Sequence, residues 1–216
     1  MTGKYSTQGF AEAEHQSDSR GRVLANTLGI TSVRDMQQAE SEALLSVTES
    51  LVLKLTDRHR FTASDLCSFH RWWLGGIYNW AGLYRQVNIG KAGFQFASAH
   101  LVPQLMMAFE RDVLSIHTPC RGMDLARLTQ ALAHVHAEFI LIHPFREGNG
   151  RLARLLNTLM AFQAGYPALD YGGIRGRKKQ EYIAAIHAAL DRNYKPMEAV
   201  FAAVLKRTLR GSGSTV

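Results

Sequence analysis

The sequence of 216 residues predicts an all-α protein, a set of helices with a single β-hairpin. Three observations lead to this prediction. Apolar side chains recur three or four positions apart through most of the chain, which is the period of amphipathic helices. Only residues 84–96 alternate apolar and polar side chains as a hairpin does. No internal repeat or flexible linker divides the middle, so we expect one domain, residues 23–209, between flexible tails at 1–22 and 210–216.

The predicted helices follow one another along this domain. The first covers residues 32–56, where the apolar side chains form one stripe. Residues Thr62 to Asp65 resemble a capping box, and we expect the helix that they start to run through Tyr78. Gly165 is expected to cap the helix before it. The remaining predicted helices are 99–116, 123–141, 149–164, 177–191 and 196–209.

The predicted hairpin has two glycines, Gly90 and Gly93, in its middle, where a tight turn needs them. Two strands alone are marginally stable in water, so this hairpin must lie against the helices. Its backbone edges would then be available for hydrogen bonding. The alternating apolar side chains are Val87, Ile89, Phe94 and Phe96.

Composition limits the possible classes of protein. A hydrophobic share of 46% with 20% charged residues excludes disorder along the whole chain. The net charge of +7 favours anionic partners such as nucleotides, nucleic acids or acidic protein surfaces. No apolar run has the length of a membrane span, and the N-terminus lacks the apolar region of a secretory signal. Because Cys67 and Cys120 form no disulfide framework, we expect a cytoplasmic protein, with delivery into a host cytosol as the alternative.

The segment HPFREGNGRLAR, residues 143–154, contains the richest chemistry in the chain. An apolar helix ends before it, and Pro144 stops that helix. The glycines around Asn149 form a tight turn into the next helix. A turn of this kind aims free N–H groups and the positive end of the helix dipole at one point, which is a ready anion site.

Four charged or titratable side chains surround this predicted anion site. Arg151 and Arg154 are three residues apart, share a helix face and suit bidentate contacts to phosphate. Glu147 stands where a carboxylate can share an Mg²⁺ ion with bound phosphates. His143 can be neutral at pH 7 and accept a proton. A base, an acid, an anion site and two arginines within twelve residues predict phosphate chemistry.

This segment resembles the signature of the Fic-domain family, HPFx(D/E)GNGRxxR, at every specified position. The resemblance extends to Trp80–Arg85 with the hairpin that follows, and to Ala164–Pro167 after the motif helix, so that it covers roughly residues 25–205. It implies the Fic fold, a helical bundle with a β-hairpin flap over the active site. That fold agrees with the helices and the hairpin read from the sequence.

The resemblance implies a protein adenylyltransferase that moves AMP from ATP to a target protein. His143 would be the general base that takes the proton from a Ser, Thr or Tyr hydroxyl. Glu147 would bind Mg²⁺ at the α- and β-phosphates, and Phe145 would pack in the core and hold the loop. The hydroxyl would attack the α-phosphorus in line, and pyrophosphate would leave.

Other positions are implied to bind the nucleotide and the target. The Asn149 side chain would lie near the α-phosphate, Arg151 would bind the outer phosphates and Arg154 the γ-phosphate. Tyr182 resembles a family position near the adenine. The implied nucleotide-binding residues are Phe145, Gly148, Asn149, Gly150, Arg151, Arg154 and Tyr182. The flap, about residues 86–97, would add a target segment as a strand. Its docking residues would be Val87, Asn88, Ile89, Gly90, Lys91, Gly93 and Phe94.

Two alternatives within the family and one question of regulation stay open. The Doc branch carries Lys at the position of Gly150 and acts as a kinase, so Gly150 favours nucleotidyl transfer. A non-catalytic interaction module is disfavoured by the intact His143 and Glu147. The family's inhibitory pattern (S/T)xxxE(G/N) is absent, because only Glu147 is followed by Gly or Asn and His143 precedes it by four. The resemblance therefore implies a separate antitoxin-like partner that supplies a Glu to Arg154, with a degenerate internal helix as the alternative.

Two further classes of protein are weighed against this function. A metal hydrolase would use His134, His136, Glu138 and His143, but the chain has no HExxH motif. A nucleic-acid-binding protein would use the basic cluster at residues 175–179, which lacks interleaved aromatic side chains. Solvated charge is the better interpretation of that cluster.

Overall fold

The computed structural model describes residues 10–91 and 93–212. This part of the chain folds into α-helices and one two-stranded antiparallel hairpin, which confirms the predicted fold class. No helix within it is long and apolar enough to cross a bilayer. The helices are α1 (Val33–Lys54), α2 (Ala63–Leu74), α3 (Val102–Phe109), α4 (Ser115–His117), α5 (Leu125–Ile142), α6 (Asn149–Gln163), α7 (Arg177–Ala188) and α8 (Lys195–Ser212). Short 3₁₀ turns lie at Ala11–Ala13, Ala99–Leu101, Tyr171–Gly173 and Ala189–Asp191.

The ends of the helices follow local sequence signals. The predicted capping box is confirmed: the Thr62 side chain accepts a hydrogen bond from the Asp65 N–H, and the Asp65 carboxylate accepts one from the Thr62 N–H. The helix ends at Leu74 and not at Tyr78, because two glycines follow and residues 75–78 turn instead. Gly165 has a φ of +82° and closes α6 with the paired hydrogen bonds of a Schellman motif, as predicted.

The segment predicted as one helix at 99–116 is helical but not uniform. A 3₁₀ turn leads into α3, and a π-helical turn at Glu110–Leu114 joins α3 to α4. The Glu110 carboxylate in this turn accepts a hydrogen bond from the Ala63 N–H at 2.7 Å. The irregular turn therefore joins this segment to the start of α2.

Helix α5 is the centre of the bundle. Ten of its side chains are buried, and it packs mainly against α6 and α8. The buried side chains run from Leu128 to Ile142, so the segment that follows, where the motif begins, starts from a buried support.

The hairpin is shorter than the sequence pattern suggests. Strand β1 is Gly90–Lys91 and strand β2 is Phe94–Gln95, with Gly90 opposite Gln95 and Lys91 opposite Phe94. The preceding residues do not extend the ladder because their amides bond elsewhere. The N–H groups of Gln86 and Val87 donate to the Glu12 carboxylate at 2.6 and 2.9 Å.

The N-terminal segment contributes to the packed structure from residue 10 onward. Glu12 and Ser19 are buried, and residues His15 and Leu24 form an antiparallel bridge. Of the tail predicted at 1–22, residues 1–9 lie outside the described residues. At the other end α8 reaches Ser212, and residues 213–216 of the predicted tail 210–216 also lie outside them. The domain limits of 23–209 stay a prediction.

Candidate active site

His143 ends α5 in a left-handed conformation, with a φ of +51°. Its backbone N–H still donates to the Phe139 carbonyl. The chain then turns into the motif loop, residues 143–148, which joins α5 to α6. The ring Nδ1 lies 3.1 Å from the Ile140 carbonyl oxygen. Because a carbonyl only accepts, Nδ1 must carry the proton, and the neutral ring presents the lone pair of Nε2. This is the tautomer that a general base needs.

The environment of His143 keeps its ring neutral. Burial lowers the pKa of His143 to about 4, and the nearby positive charges of Arg85 and Lys91 add to that effect. The hydrogen bond to Ile140 and the charge of Glu147 oppose it. The ring of Phe96, at the end of the hairpin, stacks on the imidazole with 3.7 Å between centroids. The imidazole is thus fixed in orientation and uncharged at pH 7.

The motif loop is clamped from inside. The Asn149 side chain accepts from the Phe145 N–H at 2.9 Å and donates to the Phe145 carbonyl at 2.7 Å. The Phe145 ring is fully buried, as the sequence predicted for a residue that holds the loop. Asn149 is also buried, so its amide stabilises the loop in this structure.

His70 of α2 supports the same loop from below and was not singled out by the sequence. Its Nδ1 accepts from the Gly82 N–H at 2.8 Å, so Nε2 carries the proton and donates to the Glu147 carbonyl at 3.1 Å. The ring stacks on Phe145 with 4.0 Å between centroids. Burial lowers the pKa of His70 to about 4. A His in an otherwise apolar buried stripe of α2 was the signal that could have found it.

The N-terminus of α6 is open for an anion. Gly148 precedes it with a φ of +82°, and a Cβ there would lie 2.7 Å from the Trp73 ring, so only glycine fits. A Cβ at Gly150 would meet nothing within 4 Å, so this glycine faces open space. Among the side chains that the structure describes, none caps the helix. The first-turn N–H groups and the helix dipole therefore point to a space that an anion can enter.

Glu147 extends an exposed carboxylate beside this helix end. Its Oε1 accepts from the Gly148 N–H at 2.8 Å and lies 3.4 Å from Arg151 Nη2. Among residues 10–91 and 93–212, no cluster of three or more metal-ligating side chains exists. One free carboxylate fits Mg²⁺ when phosphate oxygens and waters complete its shell, and it does not fit an all-protein cage.

Arg151 is held by an ion pair that the sequence did not reveal. Its Nη2 lies 2.7 Å from Oε2 of the buried Glu40 on α1, and its guanidinium stacks on Trp73 at 4.7 Å. Glu40 also accepts a hydrogen bond from the Tyr78 hydroxyl at 2.7 Å. A glutamate on the apolar stripe of α1 was the available signal. Arg151, predicted to bind the outer phosphates, is here part of a buried polar cluster.

Arg154 and Tyr182 contact a different set of residues from Arg151. Arg154 is exposed, with its guanidinium 5.7 Å from the Tyr171 ring, and no carboxylate of the described residues lies in ion-pair range. The Tyr182 hydroxyl is 2.8 Å from Nε2 of His136, and burial raises the pKa of Tyr182 to about 12. Arg154 is near enough to Tyr182 to offset part of that rise. The arginine thus offers an unpaired positive charge.

The hairpin lies over His143, through the stacked ring of Phe96. Val87 is buried, and the Asn88 side chain accepts from the Ala99 N–H at 2.8 Å. Phe94 stacks on His187 of α7 with 5.0 Å between centroids. The remaining predicted docking residues, Ile89, Gly90, Lys91 and Gly93, are partly or fully exposed.

The residues of the two rival interpretations form separate structural clusters. His134 pairs with His117 at 2.8 Å, and Glu138 accepts from the Tyr194 hydroxyl at 2.5 Å. These groups do not converge on a metal site with His136 or His143 within the described part of the chain. In the basic cluster at 175–179, Arg177 and Lys178 are exposed and pair with Glu181 on the same helix.

Comparisons with known proteins agree with this geometry. The model of the Fic/DOC family matches residues 60–161. The probable protein adenylyltransferase Fic of Salmonella typhimurium is 30% identical over 152 residues, which cover 70% of this chain and 74% of that protein. The protein adenylyltransferase VbhT of Bartonella schoenbuchensis is 29% identical over 69% of this chain, which spans only 31% of VbhT.

Solved structures show the same fold. The N-terminal Fic domain of a VirB-translocated effector from Bartonella sp. AR 15-3 superimposes with a TM-score of 0.74 at 16% identity, covering 100% of this chain and 98% of that one. BepC of Bartonella tribocorum, solved with bound AMPPNP, gives a TM-score of 0.66 at 20% identity. It covers 84% of this chain and 91% of that one.

Proposed function

Since this chain belongs to the Fic/DOC family, we propose that it is a protein adenylyltransferase that moves AMP from ATP to a hydroxyl of a target protein. The observation that carries the proposal is the state of His143. Its neutral ring presents Nε2 as an acceptor, next to a helix N-terminus that is open to an anion. A base beside a phosphate site is what hydroxyl attack on a nucleotide requires.

The target hydroxyl would donate its proton to Nε2 of His143 as its oxygen attacks the α-phosphorus. The hydrogen bond from Nδ1 to the Ile140 carbonyl stabilises the charge that the ring gains. The bond between the α-phosphorus and the bridging oxygen breaks, and pyrophosphate leaves. AMP is then bound to the target through a phosphodiester.

The nucleotide would lie across the start of α6. The N–H groups of Asn149 and Gly150 would bind phosphate oxygens, because they have no partner within the helix. Arg154 would bind the γ-phosphate, since its charge is unpaired and exposed. Arg151 would stay paired with Glu40 and would contribute its positive charge to the outer phosphates from beside Glu147. Tyr182 would lie near the adenine of the nucleotide, and its contact with His136 would fix its position.

Glu147 would hold Mg²⁺ together with the phosphates. When bound, Mg²⁺ neutralises phosphate charge that builds up during the transfer. The chain's own contribution is to present the carboxylate at the helix end. The hydrogen bond from the Gly148 N–H fixes this carboxylate, and the contact of His70 with the Glu147 carbonyl fixes the backbone.

The target would be a protein segment that docks on the hairpin, as the edge of β1 and β2 offers backbone hydrogen-bonding groups. The unpaired Arg154 also leaves room for a partner that inhibits the enzyme by supplying a carboxylate. Both cysteines are free thiols, which suits a cytosol, either of the producing cell or of a cell that receives the protein.

A Doc-like kinase is the second candidate, because the same fold can present a different phosphate to the base. Gly150 has no side chain that could reorient the nucleotide, and this favours attack at the α-phosphorus. The test is incubation with a cell lysate, Mg²⁺ and ATP labelled at either the α- or the γ-position. Label from the α-position on a protein band supports the proposal. Label from the γ-position only would replace it with kinase activity.

A further inference from the structure

Arg85 is a buried arginine at the junction between the motif loop and the hairpin, and its side chain makes hydrogen bonds to both. Its exposed fraction is 1%. The Nε donates to the His143 carbonyl at 2.7 Å, and Nη2 donates to the Ile142 carbonyl at 3.3 Å. Its Nη1 donates to the Val87 carbonyl at 2.9 Å, and Nη2 also donates to the carbonyl of Ala97. Its backbone N–H donates to Pro144.

These acceptors belong to three separate pieces of chain. Ile142 and His143 end the central helix α5, Val87 lies just before β1, and Ala97 lies just after β2. A guanidinium has five N–H donors in a rigid plane, and here four backbone carbonyls are bound by it at once. The hairpin is therefore fixed at both of its ends to the residue that carries the base.

The charge of Arg85 is unusual in its surroundings. No carboxylate of the described residues lies in ion-pair range, although burying an isolated charge is costly. The nearest compensation is Glu12, whose charge favours the charged form of Arg85. The Glu12 carboxylate itself binds the amides of Gln86 and Val87 at the first end of the hairpin. A neutral side chain would fill this space without the free-energy cost of burying a charge. The arginine therefore contributes through its several N–H donors.

We propose that Arg85 is a positioning residue that couples the hairpin flap to the catalytic base, so that the flap and His143 hold their reactive arrangement together. This inference rests on the proposed function. His143 is in a strained left-handed conformation, and the bond to its carbonyl fixes the peptide plane that follows it. A shift of either end of the hairpin moves the guanidinium and hence the backbone of the base. Docking of a target on the flap would then change the position of the His143 backbone.

The test compares Arg85→Lys with the wild type and with Arg111→Lys, a change at an exposed arginine that pairs with its neighbour Asp112. Lysine keeps the charge but carries its three donors on one atom, so it cannot reach the acceptors of the hairpin and of His143 together. The affinity for ATP, measured by calorimetry, should stay within about twofold, because Arg85 does not touch α6. The kcat for target modification should fall about 10- to 100-fold, as expected when a reacting group shifts by about 1 Å.

Hydrogen exchange provides a measurement that needs no turnover. Amides of residues 88–96 should exchange at least about tenfold faster in Arg85→Lys, and the ¹⁵N signals of the His143 ring should lose the single Nδ1–H tautomer. If the wild type transfers nothing, the proposed function fails, while exchange and ring signals still test the coupling. Unchanged exchange and kcat in Arg85→Lys would overturn the inference. So would an equal loss of ATP affinity and kcat, which would make Arg85 a general structural residue.

A second variant keeps the inference testable if Arg85→Lys does not fold. Glu12→Ala frees the Gln86 and Val87 amides at one end of the hairpin and removes the charge nearest to Arg85, while the four acceptors of the Arg85 guanidinium stay in the chain. Coupling predicts faster exchange in residues 88–96, a lower kcat and unchanged ATP affinity. Faster exchange with an unchanged kcat would show that the flap and His143 are independent.

Discussion

Replacing Glu40 with alanine should destabilise the protein, because this residue joins α1 to the motif helix. The residue is 4% exposed, and its carboxylate accepts from the Tyr78 hydroxyl and from Arg151, each at 2.7 Å. Removing it leaves the Tyr78 hydroxyl without an acceptor, and leaves the Arg151 guanidinium with only its longer contact to the exposed Glu147 carboxylate at 3.4 Å. The backbone carbonyl of Glu40, which binds the Trp73 indole, stays in place.

The magnitude follows from the burial of the two partners. Breaking a buried ion pair by removing one member costs about 3–5 kcal/mol. The Arg151 side chain is 28% exposed and can recover some hydration, which favours the lower end. Leaving the buried Tyr78 hydroxyl without an acceptor costs about 1–3 kcal/mol. The two costs do not add fully, because both arise from the same Glu40 carboxylate. We therefore expect a loss of about 3–4 kcal/mol, which lowers the Tm of a chain of this size by about 6–16 °C.

The assay is urea denaturation with calorimetry as a second measure of stability. Glu40→Gln keeps an acceptor for Tyr78 and should lose roughly half as much stability. Glu42→Ala, at an exposed position of the same helix, is the matched control and should change it by at most about 0.5 kcal/mol. A double-mutant cycle with Arg151→Met should give a coupling energy of at least about 1 kcal/mol. A cost below about 1 kcal/mol for Glu40→Ala, or no coupling, would refute the role of this ion pair.

Three further predictions concern the motif and its support. Gly148→Ala should lower the free energy of unfolding by about 2 kcal/mol or more, because its Cβ would meet the Trp73 ring. Gly150→Ala should not lower it, and can raise it by up to about 1 kcal/mol, but should weaken ATP binding. Denaturation and calorimetry separate the two effects, and equal stabilities of the two variants would contradict the packing. His70→Phe keeps the ring but loses both hydrogen bonds, so urea denaturation should show a loss of about 2–4 kcal/mol, and an unchanged midpoint would contradict its support of the loop. Because burial lowers the pKa of His70, His117 and His143 to about 4 in the folded state, the unfolded chain binds more protons between pH 6.5 and 4. The stabilisation that depends on these neutral histidines should therefore be complete above pH 6.5. The free energy of unfolding should fall as the pH drops to about 4, and a flat profile would contradict the burial.

Local patterns were sufficient to predict the helices and the motif. The cap at Thr62, the Schellman glycine at Gly165 and the stop at Pro144 each depend on neighbours a few residues away, and such signals can be read directly from the chain. The motif, being contiguous, placed His143 at the end of one helix and Glu147 just before the start of the next. The fold class followed because the helical period persists along the domain.

The supporting contacts could not be predicted, because they join residues that are distant in the sequence. Glu40 and Arg151 are 111 positions apart, and His70 and Glu147 are 77 apart. The period of the apolar residues and the spacing within a motif carry no information on such distant pairs. The shortened hairpin has the same origin, since Glu12 takes the amides that would otherwise extend the ladder.

The most direct test of nucleotidyl transfer by His143 is intact-mass spectrometry of a purified target after incubation with Mg²⁺ and ATP. The wild type and His100→Ala, a change at an exposed histidine outside the site, should each add the mass of one AMP. His143→Ala should bind ATP with unchanged affinity in calorimetry but lose at least about 100-fold in rate, as expected for a missing general base. Full activity of His143→Ala would contradict the assignment of the base and the mechanism built on it.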